Sequence, residues 1–251
     1  MIPPVRIVYP APLETREVRD IFMPFITRFA DSLRKFNPGC EYELAVIENG
    51  GEEDCIKDCR AQFYDLPVKF YRYEGTGCDI GSFLWFADQQ AENVFQVNCV
   101  TRVYAWKAGW LQRLVQNREI IGPSLFGTSA SREGGKQHIC CRCYAADSDD
   151  FSKYPHAIKS RDRGVFFEVG DGCLTEWFLS EEKYVGLVYW DGVCDMPTCS
   201  PESDFRFQTA KNIFRRGDQS NMLVWDKHSD YYRDADESEK ARLARMCFEG
   251  P

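Results

Sequence analysis

The sequence predicts an α/β protein, a mixed and mainly parallel sheet flanked by helices, with a C-terminal extension. Three observations predict it. From residue 5 onward, β-branched and aromatic runs alternate with amphipathic stretches; each run ends in a polar or glycine-rich loop; and 251 residues are enough for one large core. In sheets of this kind ligands bind at the carboxyl ends of the strands.

The opening run "VRIVYPAP" is rich in β-branched side chains and closed by two prolines, as a buried strand leading into a loop requires. Behind it, Val18, Ile21, Phe22, Phe25, Ile26, Phe29 and Leu33 recur at spacings of three and four, which predicts an amphipathic helix that can bend at Pro24 and stops at "NPGC". "YELAVIENGG" reads as a second strand with a Gly-Gly turn, "EEDCIKDCRAQF" as a short helix and "VKFYRY" as a third strand. After the loop "GTGCDIGS", a helix is expected from Phe83 to Ala91, feeding the strand "VFQVNCV". "GWLQRLVQN" follows as an amphipathic helix and "IIGPSLFGTSAS" as a strand. A later β, α, β stretch is read in "GVFFEVGDG", "LTEWFLSEEK" and "VGLVYWDG". From Asn212 the tail is dense in charged and aromatic residues without a clear period, and it ends in the helix "ESEKARLARMCF". With no internal repeat or linker, residues 1–195 are taken as the core and 196–251 as an extension packed on it, in a single domain.

A formal net charge of -8 argues against a nucleic-acid partner, which needs a dense basic footprint. No stretch approaches the roughly 18 to 20 apolar residues that span a bilayer. The opening residues "MIPPVRIVYP" have no basic segment leading into an apolar one, so no transmembrane segment and a cytoplasmic location are expected. Five of the twelve cysteines fall in two clusters, "CIKDC" and "CCRC", neither with the paired spacing of a zinc knuckle, and the cysteines read as buried or surface thiols.

In the order of its motifs the chain resembles the GT-A fold glycosyltransferases, a Rossmann-like class, particularly the inverting family-two type and the rhamnan-synthesis relatives. The resemblance covers about residues 5 to 195. The first strand and its proline loop place Pro10 at the donor nucleotide, "VIENGG" suggests Glu48 or Asn49 near the base, and "GTGCDIGSFLWFA" implies Asp79 and Gly81 beside the nucleotide. "VNCVTRVYAWKAGWL" is similar to the strand that in relatives carries Asp-x-Asp and is followed by Gly-Trp-Leu. Here the two acidic positions are Asn98 and Val100, so the motif is degenerate: an amide is a weak ligand for Mg2+ or Mn2+ and valine is none.

Three explanations stay open. Cations can replace the metal at the diphosphate, with Arg102, Arg215 and Arg216 as candidates, since a guanidinium pairs two phosphate oxygens. Alternatively Mn2+ or Mg2+ binds through other ligands, among them Asp79, Asp191, Asp218 and His228, or catalysis is lost and binding kept. The resemblance implies a donor that is a UDP-, GDP- or dTDP-linked sugar and a glycan or lipid-linked acceptor. The function expected is inverting, metal-independent glycosyl transfer; the alternative is a noncatalytic carbohydrate- or partner-binding protein.

Single displacement at an anomeric carbon needs one carboxylate as general base. Relatives carry it after the middle strands, which leaves Glu168, Asp171 and Glu176 of "FFEVGDGCLTEWFL" as contenders, Glu168 and Asp171 ahead of Glu176. On the acceptor side, His138 precedes a strand, Trp190 offers an aromatic face and Asp191 follows in "YWDG", whose Asp-Gly also suits a plain turn. The tail reads either as a lid carrying Arg215, Arg216 and Lys227 to the phosphates, or as a wrap docked through Phe214, Trp225, Tyr231 and Tyr232.

Overall fold

A computed structural model describes residues 3–131, 136–198, 207–209, 212–213 and 220–249. Strand β1 (Val5–Pro12) is followed by helix α1 (Arg16–Lys35), whose start is fixed by Thr15, its side-chain oxygen accepting the Val18 N–H at 3.2 Å. The chain runs on through β2 (Glu43–Asn49), α2 (Glu53–Ala61), β3 (Val68–Tyr73), α3 (Cys78–Asp88) and β4 (Phe95–Cys99). A short β5 (Tyr104–Ala105) leads to α4 (Trp110–Ile121), β6 (Leu125–Gly127), β7 (Ala130–Ser131), β8 (His138–Ile139) and β9 (Cys143–Asp147). The second half adds α5 (Ser148–Phe151), α6 (Arg161–Val169), α7 (Leu174–Ser180), and the hairpin β10 (Val185–Tyr189) and β11 (Gly192–Asp195). It closes with β12 (Phe207–Thr209), β13 (Asn212–Ile213), β14 (Val224–Trp225), α8 (Lys227–Asp234) and α9 (Glu237–Glu249).

Among the described residues the main sheet has eight strands in the order β11-β10-β6-β9-β4-β1-β2-β3. β1 pairs in parallel with β2 and β4, β2 with β3, and β6 with β10, while β9 runs antiparallel between β4 and β6. This is the mixed, mainly parallel sheet that the alternating pattern predicts. Its strands are apolar on both faces because helices cover both. Ile7, Tyr9, Ala11, Leu44 and Val46 point into one core with Ile26, Phe29 and Trp110, and the alternate residues Val8, Ala45 and Ile47 enter a second core with Phe83, Phe86 and Phe167. Tyr9 stacks on Phe29 with ring centroids 4.0 Å apart.

Three local expectations are corrected. "GVFFEVGDG" is not a strand: residues 161–169 form α6, with the Ser160 side chain accepting the Arg163 N–H as N-cap. The alternation of apolar residues there is too short to hold an extended run against that cap. The helix expected from Phe83 begins five residues earlier, at Cys78, because Gly77 and Gly81 let α3 approach the chain at Ile158. Residues 227–234 form α8 although no period announced it, since Asp226 and Ser229 make a reciprocal capping box. α1 continues through Pro24 as a single helix.

The described part of the C-terminal segment docks on the core. β14 pairs antiparallel with β5, Asp230 takes a hydrogen bond from Tyr104 and an ion pair from Arg28, and Tyr232 is buried. Tyr231 is half exposed. No helix among the described residues is long and apolar enough to cross a membrane. Nine of the described cysteines are free, whereas Cys194 is disulfide-bonded and departs from the expected thiols.

Candidate functional site

The carboxyl ends of β1 and β4 lie side by side. The Tyr9 hydroxyl donates to the Thr101 carbonyl at 2.7 Å, and the Thr101 hydroxyl donates to the Pro10 carbonyl at 3.1 Å. Two further segments converge on this edge. The Val100 N–H donates to the Arg142 carbonyl at 2.9 Å, which ties the β8–β9 turn to the end of β4. The pairing of β14 with β5, Trp225 opposite Tyr104, then leads the chain toward Arg102.

Three cations gather where these segments meet. Lys227, at the start of α8, has its pKa pushed down by partial burial and then by the charges of Arg102 and Arg142, so both guanidinium groups lie within electrostatic reach of its ammonium. Arg102 packs its guanidinium over Phe22 and Phe25, with Cζ 5.2 and 5.3 Å from the ring centroids, and its buried Nε has no hydrogen-bond partner. Arg142 pairs with Asp226 at 3.2 Å. That carboxylate is buried and also caps α8, accepting the N–H groups of His228 and Ser229 at 2.8 and 3.1 Å. The cations share this neighbourhood with the carboxylates of Asp226, Glu168 and Asp79, and the two guanidinium groups are donors of the kind that pair with phosphate oxygens.

The carboxylates divide sharply. Glu168, in the last turn of α6, accepts the Cys141 N–H at 2.9 Å and lies close enough to Arg142 to influence its charge. Asp171, in the Gly170–Gly172 turn, has a 95% exposed side chain and pairs with Lys136 at 2.6 Å. Glu176 joins the same lysine and accepts the Gly172 N–H, and these bonds hold its pKa down. Asp79, near the start of α3, has its pKa raised to about 6 by burial, with Glu14 adding to the shift and Arg102 opposing it. It belongs to the same cluster.

Asn98 is buried on β4. Its Oδ1 accepts a hydrogen bond from Gln96 at 2.8 Å, and its side chain also interacts with the hydroxyl of Tyr144, its cross-strand partner on β9. Asn98 is thus engaged within the sheet, while Val100 is apolar and packs against both cores. These two positions do not fit a hard divalent cation of the kind Asp-x-Asp carboxylates hold. Arg142, which sequence reasoning missed, is held beside Val100 by the backbone bond between them; its only signal was a lone cation in the otherwise apolar "CCRC" run.

Other candidates fall elsewhere or serve the scaffold. Glu48 is buried with both oxygens on Arg60, at 2.6 and 2.9 Å, whereas the neighbouring Asn49 keeps a buried Oδ1 without a partner. Gly81 is where a Cβ would meet Tyr73 Oη at 2.6 Å and the Ile158 carbonyl at 2.8 Å, so its smallness serves helix packing. Trp190 and Asp191 form the β10–β11 turn: the Trp190 indole donates to the Met222 carbonyl at 2.7 Å and Asp191 is exposed. His138 is buried, and together with Cys140 and Glu168 it forms a group whose ligand atoms lie within 4.8 Å of one another. Phe214, Arg215, Arg216 and Asp218 lie outside the described residues.

No protein family and no curated protein sequence matches the chain. Solved structures similar to it include TarS of S. aureus, at 14% identity and a TM-score of 0.35 over 51% of this chain and 22% of that one. Another is the mannosyltransferase PcManGT from Pyrobaculum calidifontis, in complex with GDP-Man and Mn2+, at 10% identity and a TM-score of 0.45 over 63% and 50%. A third is HddC from Yersinia pseudotuberculosis, at 14% identity and a TM-score of 0.41 over 62% and 82%. The chain spans about a fifth to a third of the length of the TarS structures it matches.

Proposed function

We propose that the protein is a GT-A type glycosyltransferase that moves a sugar from a nucleoside-diphosphate donor to a hydroxyl of a glycan or lipid-linked acceptor, with inversion and without a metal at the diphosphate. The observation that carries this reading is the convergence of Arg102, Arg142 and Lys227 at the carboxyl ends of β1 and β4, next to the carboxylate of Glu168.

In this reading the diphosphate lies among the three cations, and the base lies over the end of β2 near Asn49. Glu168 takes the proton of the acceptor hydroxyl as its oxygen bonds to the anomeric carbon. The bond from that carbon to the phosphate oxygen breaks with its electron pair, and the charge released is stabilised by groups already in position. Asp171 and Glu176 are the weaker choices for the base because both are engaged by Lys136, which lowers their basicity. Asp79 and the Asn98 amide line the same edge and are assigned to holding the donor.

The test is calorimetric titration of UDP, GDP and dTDP into the protein in EDTA and then in Mn2+, followed by a donor screen with the base that binds. Binding that persists in EDTA supports the reading. Binding that requires Mn2+ refutes metal independence, and silence in both conditions replaces the reading with a noncatalytic carbohydrate- or partner-binding role.

A further inference from the structure

His138 and Cys140 stand two residues apart across the end of β8, so their side chains leave the strand on the same face. Glu168 reaches that face from α6 and is anchored there by the Cys141 N–H at 2.9 Å. One ligand atom from each of the three lies within 4.8 Å of the others. A tetrahedral Zn2+ with bonds of about 2.0 to 2.3 Å separates its ligands by roughly 3.2 to 3.7 Å, so closure needs side-chain shifts of about an ångström.

The surroundings are those of a metal ligand set. His138 and Cys140 are both buried. The His138 Nδ1 is 2.9 Å from the Lys136 carbonyl, an arrangement that puts the proton on Nδ1 and leaves the Nε2 lone pair for a cation. The backbone is pinned on both sides: the Ile139 N–H donates to the Thr175 hydroxyl at 2.9 Å and the Cys140 N–H to the Ser129 carbonyl at 2.9 Å.

We propose that His138, Cys140 and Glu168 form a site for a thiophilic divalent cation, Zn2+ in the first instance, with three protein ligands and a fourth position left for water or substrate. Thiolate, imidazole and carboxylate together select Zn2+ or Co2+ over Mg2+, which takes oxygen ligands. On binding, the Cys140 thiol gives up its proton to solvent. The proposal does not depend on the transferase reading, because it concerns binding alone. Where both hold, a bound metal makes Glu168 a ligand and withdraws it as a base.

The experiment uses the full chain, reduced and stripped with chelator, titrated with Co2+ as a spectroscopic substitute for Zn2+ and without donor or acceptor. The expected result is a thiolate-to-cobalt charge-transfer band that saturates at one equivalent and is displaced by Zn2+. Cys140→Ser, which keeps the side-chain volume, abolishes the band, while Cys141→Ala and Cys143→Ala retain it. His138→Ala and Glu168→Gln, with near-ultraviolet circular dichroism showing that they are folded, weaken Co2+ binding by about tenfold or more. Absence of a band in the unaltered protein, or a band that survives Cys140→Ser, overturns the assignment.

Discussion

Replacing Lys227 by methionine removes one of the three cations without disturbing the core, since the residue lies at the surface with its side chain only partly covered. A hydrogen bond to a charged group contributes about 1.5 to 3 kcal/mol, and screening by water at an exposed position reduces that to about 1 to 2 kcal/mol. Lys227→Met is therefore expected to weaken nucleoside-diphosphate binding by about fivefold to thirtyfold, with the melting temperature nearly unchanged. Lys69→Met is the control: it removes the same charge from β3, where the ammonium pairs with Glu43 at 2.5 Å, and should leave affinity within about twofold. pH gives a second readout. Burial, Arg102 and Arg142 lower the Lys227 pKa in the free protein, and a bound anion raises it again, so binding takes up protons and weakens as the pH rises through the free value. Calorimetry in buffers of different ionisation enthalpy measures that uptake. Equal losses for Lys227→Met and Lys69→Met, or no uptake at alkaline pH, would refute the anion site.

Glu168→Gln should lower transfer by about 10² to 10⁴ while nucleotide affinity in EDTA holds, whereas Asp171→Asn should leave turnover close to normal. The reverse pattern would move the base to Asp171. For Asp79, the folded pKa of about 6 lies above an unfolded value near 3.9, so its contribution is fully present below about pH 4 and is lost as pH rises through 6. The stability advantage of the unaltered protein over Asp79→Asn should fall by roughly 2 to 3 kcal/mol across that window, read by urea unfolding, and parallel pH curves would count against it. Gly81→Ala sets helix propensity against a clash with the Ile158 carbonyl; the clash should win by about 1 to 3 kcal/mol, and a raised melting temperature would show that the contact yields.

Alternation of apolar runs with amphipathic stretches determined the α/β class, because strands covered on both faces and helices covered on one have different periods, and these are local properties of the chain. β1 to β4 and α1 were legible for that reason. Residues 161–169 were not, because a capping contact at Ser160 outweighed a brief apolar run. Residues 227–234 were not legible either, because the Asp226–Ser229 box that starts the helix is a one-turn signal, lost in a charged tail.

The sequence also singled out Asn98 and Val100 as unsuited to a hard cation, because ligand chemistry belongs to residue type. Only the tertiary structure decided what stands near them. Arg142 and Lys227 are 85 residues apart, and they approach Arg102 because the β8–β9 turn hydrogen-bonds to Val100 and β14 pairs with β5. Tertiary structure likewise separated Glu168 from Asp171, three residues on, by giving one a place beside Arg142 and the other a lysine at the surface. Periodicity records which face of an element is buried; it does not record which distant element covers that face, and the charges that meet in a site are set by that second fact.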